Sequence, residues 1–177
     1  MAKCEEALPI ILANEGGFVS NPNDPGGATK YGISLRFLRE LGHAVGDVDG
    51  DGDVDADDIR KLSPKKAAEL YRREFWDALG LGHLNHQGVA TKIFDLAVNM
   101  GKVPAVRILQ RALIKMGNPL VTDGVMGPAT LAAANLSLPG ILLEQIRATA
   151  KARYAELIEN NPKLAAFRRG WYNRAEQ

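Results

Sequence analysis

The side chains best suited to chemistry stand between residues 14 and 33. Glu15 closes a short apolar run, Ile10, Ile11, Leu12 and Ala13, and Gly16 and Gly17 follow it. The next stretch is broken by Pro22, Pro25, Gly26, Gly27 and Gly32, and it carries Asp24, Thr29 and Tyr31. Proline fixes φ and glycine accepts φ > 0, so this segment must consist of turns and short extended pieces. A carboxylate at a helix end, beside a tight loop holding a second carboxylate, suits the cleavage of a glycosidic bond. That reaction needs one carboxyl group kept protonated as the acid, and a second group that is ionised or positions water. Taken alone, a glutamate before two glycines reads first as a solvated helix end. The wider cluster of Glu15, Asp24, Thr29 and Tyr31 makes the catalytic reading worth carrying.

A second cluster spans residues 47–58, where seven aspartates fall within twelve positions. A twelve-residue calcium loop asks for oxygen ligands at positions 1, 3 and 5, glycine at 6 and a carboxylate at 12. Asp47, Asp49, Asp51, Gly52 and Asp58 meet that pattern, with aliphatic Val54 at position 8. Asp53 would give its backbone carbonyl, and Asp55 an oxygen directly or through water. The loop resembles EF-hand and dockerin loops, and Asp58 is its departure from the usual glutamate. So many carboxylates repel one another without a cation. The expected ligand is calcium in a structural role, against the plainer reading of a solvated acidic turn.

The motifs Glu15-Gly16-Gly17-Phe18, Asp24-Pro25-Gly26-Gly27-Ala28-Thr29 and Tyr31-Gly32-Ile33-Ser34 closely resemble the signature of glycoside hydrolase family 108, muramidases of the phage endolysin type. Tyr71-Arg72-Arg73-Glu74-Phe75-Trp76, Phe94 to Gly101 and Arg168-Arg169-Gly170-Trp171 are similar to further motifs of that family. The resemblance implies that Glu15 is the catalytic acid. The order Glu, Asp, Thr is also similar to the catalytic trio of phage-type lysozymes, with four residues between Asp24 and Thr29 where that pattern has five. The implied activity is that of an N-acetylmuramidase, hydrolysing the β-1,4 bond between N-acetylmuramic acid and N-acetylglucosamine, with peptidoglycan as partner. Asp24 or Thr29 would hold water or stabilise the developing positive charge. Gly26 and Gly27 would let the sugar chain approach the backbone. The calcium loop reads as an insertion on the family pattern. A phage holin is the implied export partner.

The elements that must position these groups read mainly as helices. Ala7, Leu8, Ile11 and Leu12 keep helical spacing, so a helix is expected to run to Glu15, with Pro9 tolerated in its first turns. Ser34 and Ser63 are expected N-caps, the second followed by Pro64 at the first helical position. The helix from Pro64 to about Leu79 carries Tyr71 and Trp76. Its aromatic stripe reads first as core, while both rings stand as candidates for sugar stacking. Glu74 is expected to pair with Arg72 or Arg73. Asp95 and Asn99, one turn apart on the apolar helix 87–100, read first as hydrogen-bonders tying helices together, and Asn99 also as a cleft-floor residue. Leu109-Gln110-Arg111-Ala112-Leu113, Asp123-Gly124 and Gly127-Pro128-Ala129-Thr130 resemble small helical peptidoglycan-binding modules. Residues 1–100 are thus expected to form the catalytic region and 101–177 a binding region, packed as one body in a mainly α, lysozyme-like fold with a small turn-rich or β segment after the first helix.

Composition bounds the rest. The chain has 177 residues, 46% of them hydrophobic, and a formal net charge of +1. No global field dictates a polyanionic partner, so nucleic acid is not expected. Cys4 is the sole cysteine and cannot form an internal disulfide. No secretory leader and no apolar stretch near the ~20 residues of a membrane helix can be read. The expectation is a monomer made in the cytoplasm that acts on periplasmic peptidoglycan. The basic C-terminal helix reads first as docked with solvated arginines, and secondly as a contact for anionic outer-membrane lipid. Two further readings remain: a calcium-stabilised wall-binding module without catalysis, and a membrane disruptor working through that tail.

Overall fold

The computed structural model describes residues 1–14 and 27–176, in two compact units: Leu8–Glu74, and Met1–Ala7 with Phe75–Gln177. The first helix, α1 (Cys4–Asn14), carries residues of both units. Pro9 lies in its interior rather than its first turn, so this helix forgoes one N–H donor where the sequence suggested a harmless position.

In the smaller unit, β1 (Thr29–Lys30) and β2 (Ile33–Ser34) pair antiparallel, Thr29 opposite Ser34 and Lys30 opposite Ile33. Four helices follow: α2 (Leu35–Glu40), α3 (His43–Gly46), α4 (Ala56–Lys61) and α5 (Pro64–Tyr71). Ser34 Oγ accepts from the Phe37 N–H at 3.2 Å and Ser63 Oγ from the Lys66 N–H at 3.1 Å, so both expected caps are made. Ile11, Ile33, Leu38, Ile59, Leu62, Leu70 and Tyr71 are buried. After α5 the backbone widens into a π-helical turn, Arg72–Asp77, where sequence periodicity suggested a continuing α-helix.

The larger unit is built on α6 (Gln87–Met100), α7 (Lys102–Lys115) and α9 (Pro139–Asn160), with α8 (Pro128–Leu136) against α7 and α10 (Arg168–Glu176) against α9. The mainly α fold with one small hairpin after the first helix is the arrangement expected. Apolar side chains at i, i+3 and i+4 of α6 and α7, among them Val89, Ile93, Leu96, Ile108, Leu109 and Ala112, form the common core.

Two charges, Lys92 and Asp95, are buried with them, beside a largely covered Arg174. Asp95 meets Arg174 Nε at 3.0 Å, and Lys92 Nζ donates to the Arg174 carbonyl. Asn99 Oδ1 accepts from the Tyr154 hydroxyl at 2.7 Å, and the Tyr154 ring stacks on Trp171 with centroids 5.0 Å apart. Asp95 and Asn99 therefore tie helices together, and α10 is docked through its Trp171 and Arg174 side chains.

Burial pushes the Lys92 ammonium down to about 8, with Asp95 opposing and Arg147 and Arg174 reinforcing the shift. Its ordinary value is 10.5, so between the two values the unfolded chain holds a proton that the folded chain has shed. This contribution to stability is therefore complete above the ordinary value and is lost as pH falls through about 8. Tyr154, pushed up by burial, works in the opposite sense above about pH 10. Between pH 8 and 10 the melting temperature of the native chain is expected to gain about 2–4 °C on that of Lys92→Met. Parallel curves would mean that Lys92 stays charged when folded.

Candidate functional site

Glu15, Asp24 and Gly26 lie outside the described residues, and the neighbouring segment is described from Gly27 onward. Thr29 opens β1 opposite Ser34, with part of its surface exposed. The two strands join through Tyr31 and Gly32, at φ 51° and 72°. Left-handed values at both central residues are those of a type I′ hairpin turn, whose twist matches paired strands. Glycine adopts them freely. Tyrosine does so at a cost of roughly 1–2 kcal/mol.

The surroundings hold Tyr31 there. The Tyr71 hydroxyl donates to the Tyr31 carbonyl at 2.7 Å. Lys30 Nζ lies 5.5 Å from the Tyr31 ring centroid and donates to the Arg60 carbonyl at 2.5 Å. Strain maintained by specific contacts, next to a motif that carries chemistry, marks a segment whose shape matters. Tyr71→Phe should remove about 1 kcal/mol of stability, a fall of about 2–4 °C in melting temperature. If Thr29 takes part in the chemistry that the motif resemblance implies, activity should fall further than that loss explains, because Thr29 is positioned by the same hairpin. An unchanged lysis rate per folded molecule would separate the hairpin from activity.

Gly27 also adopts a left-handed φ of 74°, and a Cβ there would sit 3.3 Å from Leu35 Cβ. Backbone conformation and Leu35 thus give a reason for glycine at this position beside the room for a sugar chain that the sequence suggested. Tyr71 and Trp76 are only 2% and 4% exposed. The Trp76 ring stands edge-on to Phe94, centroids 5.5 Å apart. Neither ring offers a face to a sugar here, which agrees with the core reading. Glu74 Oε1 meets Arg73 Nε at 2.6 Å, the surface pair expected of it.

The acidic loop folds on its own backbone. Asp58, 1% exposed, accepts from Val48 N–H at 2.6 Å and Asp49 N–H at 3.2 Å through Oδ1, and from Asp55 N–H at 2.7 Å through Oδ2. Asp55 and Asp58 also form the capping box of α4. Asp47 accepts from Gly50 and Gly52 N–H. Lys61 Nζ lies 2.7 Å from Asp49 Oδ2, and that hydrogen bond holds the Asp49 carboxyl below its ordinary range. Asp51 beside it pushes the Asp53 carboxyl up. Carboxylate oxygens of Asp47, Asp49 and Asp58 lie within 4.8 Å of one another, as do those of Asp53, Asp55 and Asp58. Two triads sharing Asp58 could therefore hold a metal ion, while Asp51 belongs to neither and accepts from Asp53 N–H instead.

Two of the motifs read as peptidoglycan-binding-like, around Gln110 and Asp123-Gly124, meet in a polar hub that shapes the turn after α7. Gln110, 1% exposed, donates through Nε2 to Asp123 Oδ1 at 2.6 Å and to the Val125 carbonyl at 3.1 Å. Its Oε1 accepts from Gly124 N–H at 2.9 Å. Gly124 has φ 83°, and a Cβ there would meet Val103 Cγ1 at 2.7 Å. The Asp-Gly turn is therefore a packing device closed by one amide. An uncharged polar side chain on the buried face of α7, among Ile108, Leu109, Ala112 and Leu113, was the available signal.

Residues 8–101 match the glycosyl hydrolase 108 family, and residues 104–176 match a predicted peptidoglycan domain. Among solved structures, Brucella abortus SagA is similar at 29% identity with a TM-score of 0.76, over 98% of this chain and 89% of that one. No curated protein matches. The first match takes in the strained hairpin, the acidic loop and α6 together, and by it the chain belongs to the glycosyl hydrolase 108 family, as a glycoside hydrolase.

Proposed function

We propose that the chain is an N-acetylmuramidase of the endolysin type, which hydrolyses the β-1,4 bond between N-acetylmuramic acid and N-acetylglucosamine in peptidoglycan. The observation that carries this reading is the family match over residues 8–101, which takes in Glu15, Asp24 and Thr29. Glu15 donates a proton to the leaving oxygen. Asp24 or Thr29 holds the attacking water or steadies the positive charge developing on the sugar ring. The hairpin fixed by Tyr71 keeps the Thr29 hydroxyl in place. The second match, over residues 104–176, supports peptidoglycan as the partner.

Calcium has a structural part in this reading. Asp47, Asp49 and Asp58 would hold it, with Asp53 and Asp55 on the other side of the shared Asp58. The ion would supply charge neutralisation between carboxylates. Access to periplasmic wall would come through a phage holin.

Mass analysis of fragments released from purified peptidoglycan tests the activity. Disaccharide-peptides ending in a reducing N-acetylmuramic acid are expected. A reducing N-acetylglucosamine would assign a different sugar bond. Binding to the wall with no fragment released would leave a calcium-stabilised wall-binding module.

A further inference from the structure

On the larger unit, Arg107 and Arg111 stand one turn apart on α7, and α9 brings Arg153 to the same hollow. Pro104 and Ile108 complete its lining, and the cavity measures about 200 Å³. All five residues fall within the stretch matched to a predicted peptidoglycan domain. Like charges one helical turn apart repel each other, so the pair is a small liability to α7 unless an anion lies between them. Among the described residues, Arg107 and Arg111 form no ion pair of their own; Arg153 holds Glu156 at 2.7 Å. Two acids bear on the hollow: Glu156, half-exposed at its rim, and Asp123, whose carboxylate is already engaged by Val125 N–H and Gln110. Three arginines thus line a space smaller than the ~300 Å³ at which drug-sized ligand pockets begin.

We propose that this hollow binds a free carboxylate of the peptide stem of peptidoglycan. The inference rests on the peptidoglycan reading above and adds a subsite distinct from the Glu15 loop in sequence. A guanidinium presents a planar fork of N–H donors that matches a carboxylate two bonds at a time. The apolar floor of Pro104 and Ile108 accepts the short carbon chain behind the carboxylate. Peptidoglycan carries its negative charge on those stems, so the site grips the peptide while the cleft works on the sugar.

The test titrates the full chain with disaccharide-tetrapeptide muropeptides, once with free stem carboxylates and once with those carboxylates amidated. The free form is expected to bind about tenfold more tightly. That preference should vanish in Arg107→Gln/Arg111→Gln and survive in part in Arg107→Lys/Arg111→Lys, with melting temperatures close to the native value. Equal affinity for the two muropeptides, while glycan strands stripped of peptide still bind, overturns this subsite and leaves the peptidoglycan reading standing. Binding to neither muropeptides nor glycan overturns both. Displacement of the muropeptide by phosphatidylglycerol vesicles would assign the hollow to a phosphate headgroup and likewise overturn the proposal.

Discussion

Glu15→Gln is expected to abolish lysis of permeabilised Gram-negative cells while leaving the melting temperature unchanged. A glutamine keeps the shape and hydrogen-bonding reach of the side chain but has no proton to give. General acid catalysis is worth about 10²–10⁴ in rate, and the loss should be at least of that order. Glu15 follows an apolar run in sequence, Ile10 to Ala13, and α1 is described as far as Asn14. A general acid must keep its proton near neutral pH, which an apolar setting favours by disfavouring the ionised form. Turbidity loss measures the effect, and circular dichroism checks the fold. A folded variant that still clears cells would remove Glu15 from the mechanism. The catalytic role would then have to move to another residue of the 8–101 stretch.

Calcium is expected to raise the melting temperature by about 5–10 °C at a concentration near a hundred times its dissociation constant. Saturation at that level contributes about 2.7 kcal/mol to the folded state, and a domain of this size gains about 2–4 °C per kcal/mol. The shift should disappear in Asp47→Ala with Asp49→Ala, and magnesium, which demands tighter geometry, should give less of it. Lys61 bears on the size of the effect. Its ammonium already occupies Asp49 Oδ2, so a divalent ion must displace one internal cation before it gains that ligand. A chelator-treated chain that melts at the same temperature with and without calcium would leave the loop as a capped acidic turn. Asp58 would then serve only the backbone donors of Val48, Asp49 and Asp55.

Helix positions were readable where one local signal decided them. Ser34 and Ser63 stand before apolar-periodic runs, and their hydroxyls accept from the N–H three residues on. The bounds of α6 follow from the same periodicity, with Gly101 at φ 94° ending it. The π-helical turn at Arg72–Asp77 was not readable, because its extra residue per turn arises from packing and leaves the apolar spacing of Tyr71, Phe75 and Trp76 almost intact. The hairpin was legible as a turn and no further. Tyr31 is not a residue that local preference puts at positive φ, and it stays there through Tyr71, forty positions away in the chain. For the same reason an aromatic stripe alone could not separate core from sugar platform. The residue types at Tyr71 and Trp76 suit both, and only burial decides between them. The roles of Glu15 and Asp24 rest on their motifs and on the family, since both lie outside the described residues.

Gln110 has a consequence of its own. A neutral carboxamide neither gains nor loses a proton in ordinary media, so the acid sensitivity of this turn lies with Asp123, whose carboxyl is held below its ordinary range by Val125 N–H and Gln110. Burial also keeps water from this amide, which disfavours hydrolytic loss of ammonia while the chain is folded. A glutamate formed there would set a second negative charge 2.6 Å from Asp123 Oδ1, in a place closed to water, and would lose the two donors that now fasten the bend. The bend thus depends on a side chain that its own burial keeps from water.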